Sequence, residues 1–442
     1  MSLPSIQEFE QVLVNILAPN NDLRNQAETH FNNSKQHPDY CIQSLLHILR
    51  NSPQTEIRGL ACVLLRKCIS SEDSLYTKVT NETKQKLKSE LLEALKNETV
   101  DHNRSKLVYT LTGFVSGLLE NNEFPEFMPT MFDWAKNPSP ILRENSLGVF
   151  NHLSDYLAHS GLSPYLVHFR QIFEANLRDL DNPIVRLAAV EATCAIIMVL
   201  DKQQYPAFQD LIPDMLQTIA QLLNAKDYQS AGAAIECFIE IAVSKPGFFT
   251  KHANNIIAAM FQIAKTADLD DSVRHLATEF MISLTEKSPS LIKKIPSFVD
   301  NLFPLCMSLM LDIEHDDDWQ DTYEDEDMDL SNYDVGLESL DRLALALGGK
   351  IVQPVAFKLI PTFLNNQDWK HRHTGLMTIS QTAEGCQEEY EAHLAQIVTM
   401  VVALFQDPHP RVRYAAIHCS AQLATDFQPG FQQQFHAQVV PA

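Results

Sequence analysis

The stretch 56-EIRGLA-61 places Arg58 three residues before Ala61, and 411-RVRYAA-416 does the same with Arg413 and Ala416. The pattern returns in DLRNQA, ILRENS, IVRLAA, SVRHLA and KHRHTG, as Arg24/Ala27, Arg143/Ser146, Arg186/Ala189, Arg274/Ala277 and Arg372/Gly375. Where no copy is skipped, neighbouring arginines lie 34, 43 and 41 residues apart. Gaps of 85 and 88 are double periods, with degenerate copies expected at Lys106 and Ala231. A small residue lets two helices approach closely. The arginine follows a turn rich in Asp, Asn and Pro, and is expected to bind a turn acid or carbonyl. Asn182-Pro183 reads as an N-cap followed by a first helical residue, and DPHP at 407–410 as the same device.

Residues 211–223 carry Leu211, Ile212, Met215, Leu216, Ile219, Leu222 and Leu223, a helical stripe. No alternating strand pattern stands out. The 13 glycines are about half the usual share of roughly 7%. A period near 40 with two helices per unit is the signature of HEAT repeats. The chain is therefore expected to be all-α, a superhelical solenoid of about ten hairpins, each burying its apolar stripe against its neighbours. Repeats 1–3 are assigned to 1–120 and repeats 4–7 to 121–296. Repeat 8, with an acidic loop at 312–331, takes 297–350; repeats 9–10 and the start of an eleventh take 351–442. The last fifteen residues, QPGFQQQFHAQVVPA, read as the opening of that eleventh hairpin, so a longer solenoid is expected.

The 442 residues carry 56 acidic and 34 basic side chains, a formal charge of -22. Half of that imbalance sits in DIEHDDDWQDTYEDEDMD, residues 312–329, which has eleven carboxylates and no lysine or arginine. Such a run repels itself and cannot form a core. From Arg274 to Arg372 is 98 residues, more than two periods, and the surplus coincides with this run. It is an enlarged turn inside the eighth hairpin. A calcium loop is excluded, because Leu330 stands where the loop needs glycine and Gly336 where it needs a bidentate glutamate. A solvated insertion remains open. So does a docking strip for a basic surface, which Trp319, Tyr323 and Met328 favour.

A quieter row of acids follows the arginines by twelve or thirteen residues: Asp155, Glu286, Glu384 and Asp426. Asp341 precedes Glu384 by 43 residues, and Glu384 precedes Asp426 by 42. Acids near helix C-termini face the negative end of the macrodipole, so helix stability does not explain them. One reading is a ladder for the lysines of a basic segment, with residues such as Trp369 packing on the lysine stems. The other is a set of hydrogen bonds between repeats.

Catalysis has no candidate centre. Phosphate-loop, dinucleotide, nucleophile-elbow and H-E-x-x-H signatures are all missing. The HRH at 371–373 lacks the partners of a metal site, and neither a cofactor nor a metal is expected. Cys41, Cys62, Cys68, Cys194, Cys237, Cys306, Cys386 and Cys419 are scattered and read as buried small hydrophobes of a reducing compartment. The apolar run at 188–200 contains Glu191 and is too short to span a bilayer. The acidic balance argues against direct nucleic-acid binding.

DWKHRHTGLMTISQTAEGC (368–386), FQDPHPRVRYAAIHCSAQLATDFQPGFQQQFH (405–436) and LESLDRLALALGGK (337–350) resemble the importin-β family of nuclear transport receptors, above all its importin-β3 subgroup. The acidic loop and its place in the eighth repeat resemble the family too. The resemblance implies an import receptor, not an enzyme, that shuttles between cytoplasm and nucleus, about half of it present here. It implies basic cargo with lysine-rich signals, ribosomal proteins and histones among the candidates. It implies Phe-Gly nucleoporins between first helices, and Ran in its GTP form as the displacer of cargo. Ran would touch second helices around 54–69 and 102–117. Asp341, Glu384 and Asp426 would hold a lysine of the signal. Ran or cargo would meet the loop acids Asp316, Asp317, Asp318, Asp321, Glu324, Asp325, Glu326 and Asp327. A monomer with no membrane contact is expected. Lys106 and Tyr109 depart from the repeat pattern, which leaves Ran contacts there open. The competing reading is a cytosolic HEAT scaffold for a phosphatase or kinase assembly.

Overall fold

Helix follows helix through the computed structural model, which describes residues 3–70, 74–313 and 331–442, and the described residues include no strand. The chain divides into two compact units, Met1–Thr218 and Ile219–Ala442. The first opens with the hairpin Ile6–Ile16/Asn21–Ser34 and continues with Pro38–Asn51/Thr55–Ile69 and Asn81–Asn97/Asp101–Glu120. Phe127–Trp134/Pro140–Ser160 and Leu166–Leu177/Pro183–Val199 follow. In the second unit the helix Tyr228–Ser244 precedes the hairpin Ala253–Lys265/Asp271–Lys287. Three more hairpins are Phe298–Leu309/Asn332–Leu347, Gly349–Leu364/Trp369–Thr382 and Leu394–Val402/Pro410–Asp426, and Gly430–Val439 comes last. The stripe at 211–223 forms the helix Ile212–Asn224.

Local chemistry sets the helix starts. Ser5 and Ser331 close capping boxes with Glu8 and Asp334, and Asn20, Thr80, Asp270 and Asp368 accept first-turn amides. Pro38, Pro140, Pro183 and Pro410 open helices where a missing N–H costs nothing. Asn182 precedes Pro183 as expected, but its side chain caps no amide; it donates instead to both carboxylate oxygens of Asp179.

The arginines hold the turns together. Arg58 donates to Glu98 through Nε and Nη2, both at 2.9 Å, and to the Ser52 carbonyl at 3.0 Å. Arg143 pairs with Asp179, whose backbone carbonyl accepts from Arg186 at 2.6 Å. In the second unit Arg372 binds Asp407 at 2.7 and 2.8 Å, and Arg413 donates to the Asp407 carbonyl at 2.8 Å. Arg58 and Arg372 tie the turn before their helix to an acid of the next turn, Arg143 reaches the next turn's acid, and Arg186 and Arg413 hold carbonyls of the turn before their helix. Asp407 is only 3% exposed. Burial pushes its carboxyl up, but the Arg372 fork and the His409 amide outweigh that and hold it below the usual range.

One assignment fails. Arg104, not Lys106, is the third repeat's turn arginine: it donates to the Thr99 carbonyl at 3.2 Å and to Glu144 at 2.9 Å. Arg104 lies three residues after the helix start at Asp101, as Arg58 does after Thr55. The side chain three residues on is Leu107, fully buried, so Arg104 lacks the small residue that marks the other copies. All the cysteines are free, and every one except Cys237 is buried.

Candidate functional site

Helix Asn332–Leu347 carries Asp341 two turns before its end. Glu384 follows Trp369–Thr382 in the next turn, and Asp426 ends Pro410–Asp426. Gly385 brings the first two together. A Cβ there would lie 2.4 Å from the carbonyl carbon of Ala344 and 2.6 Å from the amide nitrogen of Leu345. Only glycine permits that approach, and it sets Glu384 beside the final turns of the Asp341 helix.

The three carboxylates feel one another. Partial burial raises the Asp341 carboxyl above its ordinary value, and the charges of Glu384, Glu338 and Asp426 add to the effect. Burial also raises Asp426, and Glu384 contributes, against two opposing hydrogen bonds from Gln422 at 3.0 and 3.1 Å. Among the described residues no basic side chain pairs with any of the three. Lys293 and Lys350 line an open cavity of about 520 Å³ beside Glu384, but neither closes an ion pair with it. Leu345, one turn beyond Asp341 on the same helical face, is 50% exposed.

Glu286 behaves differently. Arg342 grips it through Nε and Nη2, both at 2.9 Å, and holds Glu279 at 2.7 and 2.9 Å. The Arg342 hydrogen bond lowers the Glu286 carboxyl, outweighing burial. Glu286 therefore has the structural role that the ladder reading denied it. Asp155, in the first unit, is exposed.

Trp369 does not serve the acids. It begins the helix whose far end precedes Glu384, roughly 22 Å away at 1.5 Å per residue. Its ring stacks on His409 with centroids 3.9 Å apart, and Arg411 lies over it at 5.7 Å. The apolar surface near the acids is Leu345, which the row of acids gave no reason to select. Arg342 was equally invisible, because its role is to remove Glu286 from the set.

The loop acids Asp316, Asp317, Asp318, Asp321, Glu324, Asp325, Glu326 and Asp327 lie outside the described residues, as do Trp319, Tyr323 and Met328. The helices on either side, Phe298–Leu309 and Asn332–Leu347, pack as one hairpin. Asn332 donates to Asp312 at 2.8 Å and to Asp271 at 3.0 Å, anchoring the loop's ends.

A second feature occupies the first-helix side of the same region. Phe357, Ile360 and Pro361 of one first helix and Ile397 and Met400 of the next, with Tyr390 between them, line an apolar cavity of about 320 Å³. Tyr390 is fully buried, and its hydroxyl shares a 2.7 Å hydrogen bond with Thr382. Among the described residues no cluster of His, Cys, Asp and Glu has the arrangement of a metal site, and no helix is long and apolar enough to cross a membrane.

Four family models match successive parts of the chain. An importin-β N-terminal domain matches residues 27–96, repeats of the importin-5-like type match 99–259, an importin repeat matches 266–354, and a HEAT-like repeat matches 369–419. The chain belongs to the importin-β family. This importin-β chain is 25% identical to importin subunit beta-3 of Saccharomyces cerevisiae over 98% of its own length and 40% of the relative's. It is 27% identical to a probable importin-5 homolog of Dictyostelium discoideum, over 92% of the chain and 38% of the relative. It thus spans about two-fifths of these relatives. The crystal structure of Kap121p superposes on 99% of the chain with TM-score 0.84 at 26% identity, covering 42% of that protein. Kap121p has also been solved bound to RanGTP, to Pho4p and to Nup53p; these structures match at 25% identity with TM-scores of 0.82, 0.83 and 0.82.

Proposed function

We propose that the chain is the cargo-engaging part of a nuclear import receptor, in which Asp341, Glu384 and Asp426 receive the lysines of a basic segment. One observation carries this reading. Partial burial and the charge of Glu384 raise the carboxyls of Asp341 and Asp426, and none of the three acids forms an ion pair among the described residues, whereas nearby Glu286 does. A lysine ammonium supplies the missing charge, and Leu345 offers its stem an apolar surface. Exposed ion pairs contribute only about 0.2–1 kcal/mol each, while submicromolar affinity needs more than about 8 kcal/mol. Several lysines and their packed stems must therefore act together.

The relatives support a reading of the other partners. Kap121p is known bound to RanGTP, Pho4p and Nup53p. For this chain we assign Ran-GTP to the second helices Thr55–Ile69 and Asp101–Glu120 and to the acidic loop at 312–331. Basic proteins, ribosomal proteins and histones among them, are assigned to the three acids. A phenylalanine of a Phe-Gly nucleoporin is assigned to the apolar cavity at Phe357 and Tyr390, whose size and lining suit one aromatic ring. The chain acts as a monomer, without enzymatic activity, and shuttles between cytoplasm and nucleus.

Calorimetry tests the assignment on the chain as it stands. A lysine-rich peptide is expected to bind, and Ran loaded with a GTP analogue to bind far more tightly than Ran-GDP and to release the peptide. A folded chain that binds no such peptide and treats the two Ran forms alike would overturn the reading.

A further inference from the structure

Glu144 on helix Pro140–Ser160 and Glu191 on helix Pro183–Val199 line one cavity of about 350 Å³ within the unit Met1–Thr218. Their situations differ. Glu144 accepts from Arg104 at 2.9 Å, so its charge is balanced. Glu191 lies in mid-helix, half-buried, with no hydrogen-bonding or basic partner among the described residues. Burial raises its carboxyl above the usual range, and the charge of Glu144 adds to that. Around it the helix reads Val190, Ala192, Cys194 and Ile196, all buried, so packing has no need of a carboxylate there. An unpaired, partly desolvated charge destabilises a fold unless something else supplies its counter-ion.

The opposite wall of the cavity supplies the second half of the argument. Tyr109 is 51% exposed, an unusual position for so large a ring, and it packs at a tilt of 37° against His152 with centroids 4.1 Å apart. Both side chains line the same cavity as Glu191. An aromatic face beside an unpaired carboxylate suits a long side chain that ends in a cation, because the ring attracts the charge and covers the methylene stem. Arg104 in the same cavity is already paired with Asp101 and Glu144, so an anion would meet the unpaired Glu191, and a purely apolar group would leave Glu191 half-buried without a partner.

We propose that this cavity receives one lysine or arginine side chain from a basic segment of a protein partner. Glu191 takes the charge and the Tyr109–His152 pair covers the stem. The proposal rests on the chain being a receptor for basic segments, and it adds an attachment point separate from Asp341, Glu384 and Asp426.

The test is fluorescence anisotropy of a labelled fifteen-residue lysine-rich peptide against the full chain. Glu191→Gln, which keeps the shape and removes the charge, is expected to weaken binding about fivefold. It should also weaken, by a similar factor, the binding that survives in the Asp341→Asn/Glu384→Gln/Asp426→Asn variant. Tyr109→Ala, on an exposed side chain, should weaken binding without lowering the melting temperature. If the triple variant loses all binding and Glu191→Gln changes nothing, the cavity proposal fails while the main site stands. If the unmodified chain ignores the peptide, both fail. If Glu191→Gln weakens only Ran-GTP, the cavity belongs to the nucleotide-bound partner and this proposal is overturned.

Discussion

Glu286 and Glu384 occupy the same place in the sequence pattern, each twelve residues after a turn arginine, yet they have opposite fates. Glu286 is held by both arms of the Arg342 guanidinium and its carboxyl is lowered. Glu384 has no such partner among the described residues, and its charge raises the carboxyls of Asp341 and Asp426. The difference is one residue: Arg342 follows Asp341 in the chain but points its guanidinium at Glu279, Glu286 and Glu338, giving them a shared cation and leaving Asp341 without one. A recurring acid therefore marks a position, and the cation nearby decides whether it is structural or available.

The largest expected effect separates the two groups in binding. Replacing Asp341, Glu384 and Asp426 together by their amides should weaken a lysine-rich peptide by about a hundredfold, which at 1.4 kcal/mol per decade is about 2.8 kcal/mol. Glu286→Gln should change it less than twofold, and titrations by anisotropy compare the two directly. Equal losses would mean that Glu286 is as available to the peptide as the other three acids.

The next effect is in stability. Arg342→Met leaves Glu279 and Glu286 facing each other without a cation and should lower the unfolding free energy by about 1–2 kcal/mol, a value already reduced for their partial exposure. Urea denaturation measures it. Asp341→Asn should have the opposite sign and raise the midpoint slightly, because it removes repulsion.

The pH dependence sharpens the contrast further. Glu286 has a lowered folded pKa, so its contribution is present above the unfolded value near 4.5 and is lost as pH falls through the folded value. Asp341 and Asp426 have raised folded pKa values, so their native carboxyls take up protons above the unfolded value near 3.8. Their destabilising effect is full at neutral pH and shrinks as pH falls through the folded values. Melting curves from pH 7 to 4 should show the stabilisation by Asp341→Asn fading on acidification. The destabilisation by Glu286→Gln should persist to lower pH.

The smallest effect concerns the apolar part of the site. Leu345→Ser should weaken the peptide about two- to threefold through lost contact with lysine stems, with Trp369→Ala as the unaffected control. A drop at Trp369 instead would restore the assignment that the geometry removed.

Much of this molecule was legible in one dimension. The interval between arginines gave the all-α hairpin repeat, because a stack of equal units must repeat its contacts at equal spacing. The turn chemistry was legible too: Arg58, Arg143, Arg372 and Arg413 find turn acids or carbonyls as their setting predicts. The third repeat's turn arginine was hidden because Leu107, not a small residue, stands three positions beyond Arg104. Helix spacing fixes where the arginine must sit, but neighbouring helices decide how much room remains beside it.

The sequence by itself determined the period, the fold class and the candidate carboxylates, since each depends on residue type and separation along the chain. Only the tertiary structure decided which carboxylates form a set. Gly385 brings Glu384 against the end of the Asp341 helix, Arg342 withdraws Glu286, and Trp369 stacks on His409 at the opposite end of its helix. Charge balance is a property of three-dimensional neighbourhoods, and residues 56 apart in the chain, as Glu286 and Arg342 are, can cancel at 2.9 Å.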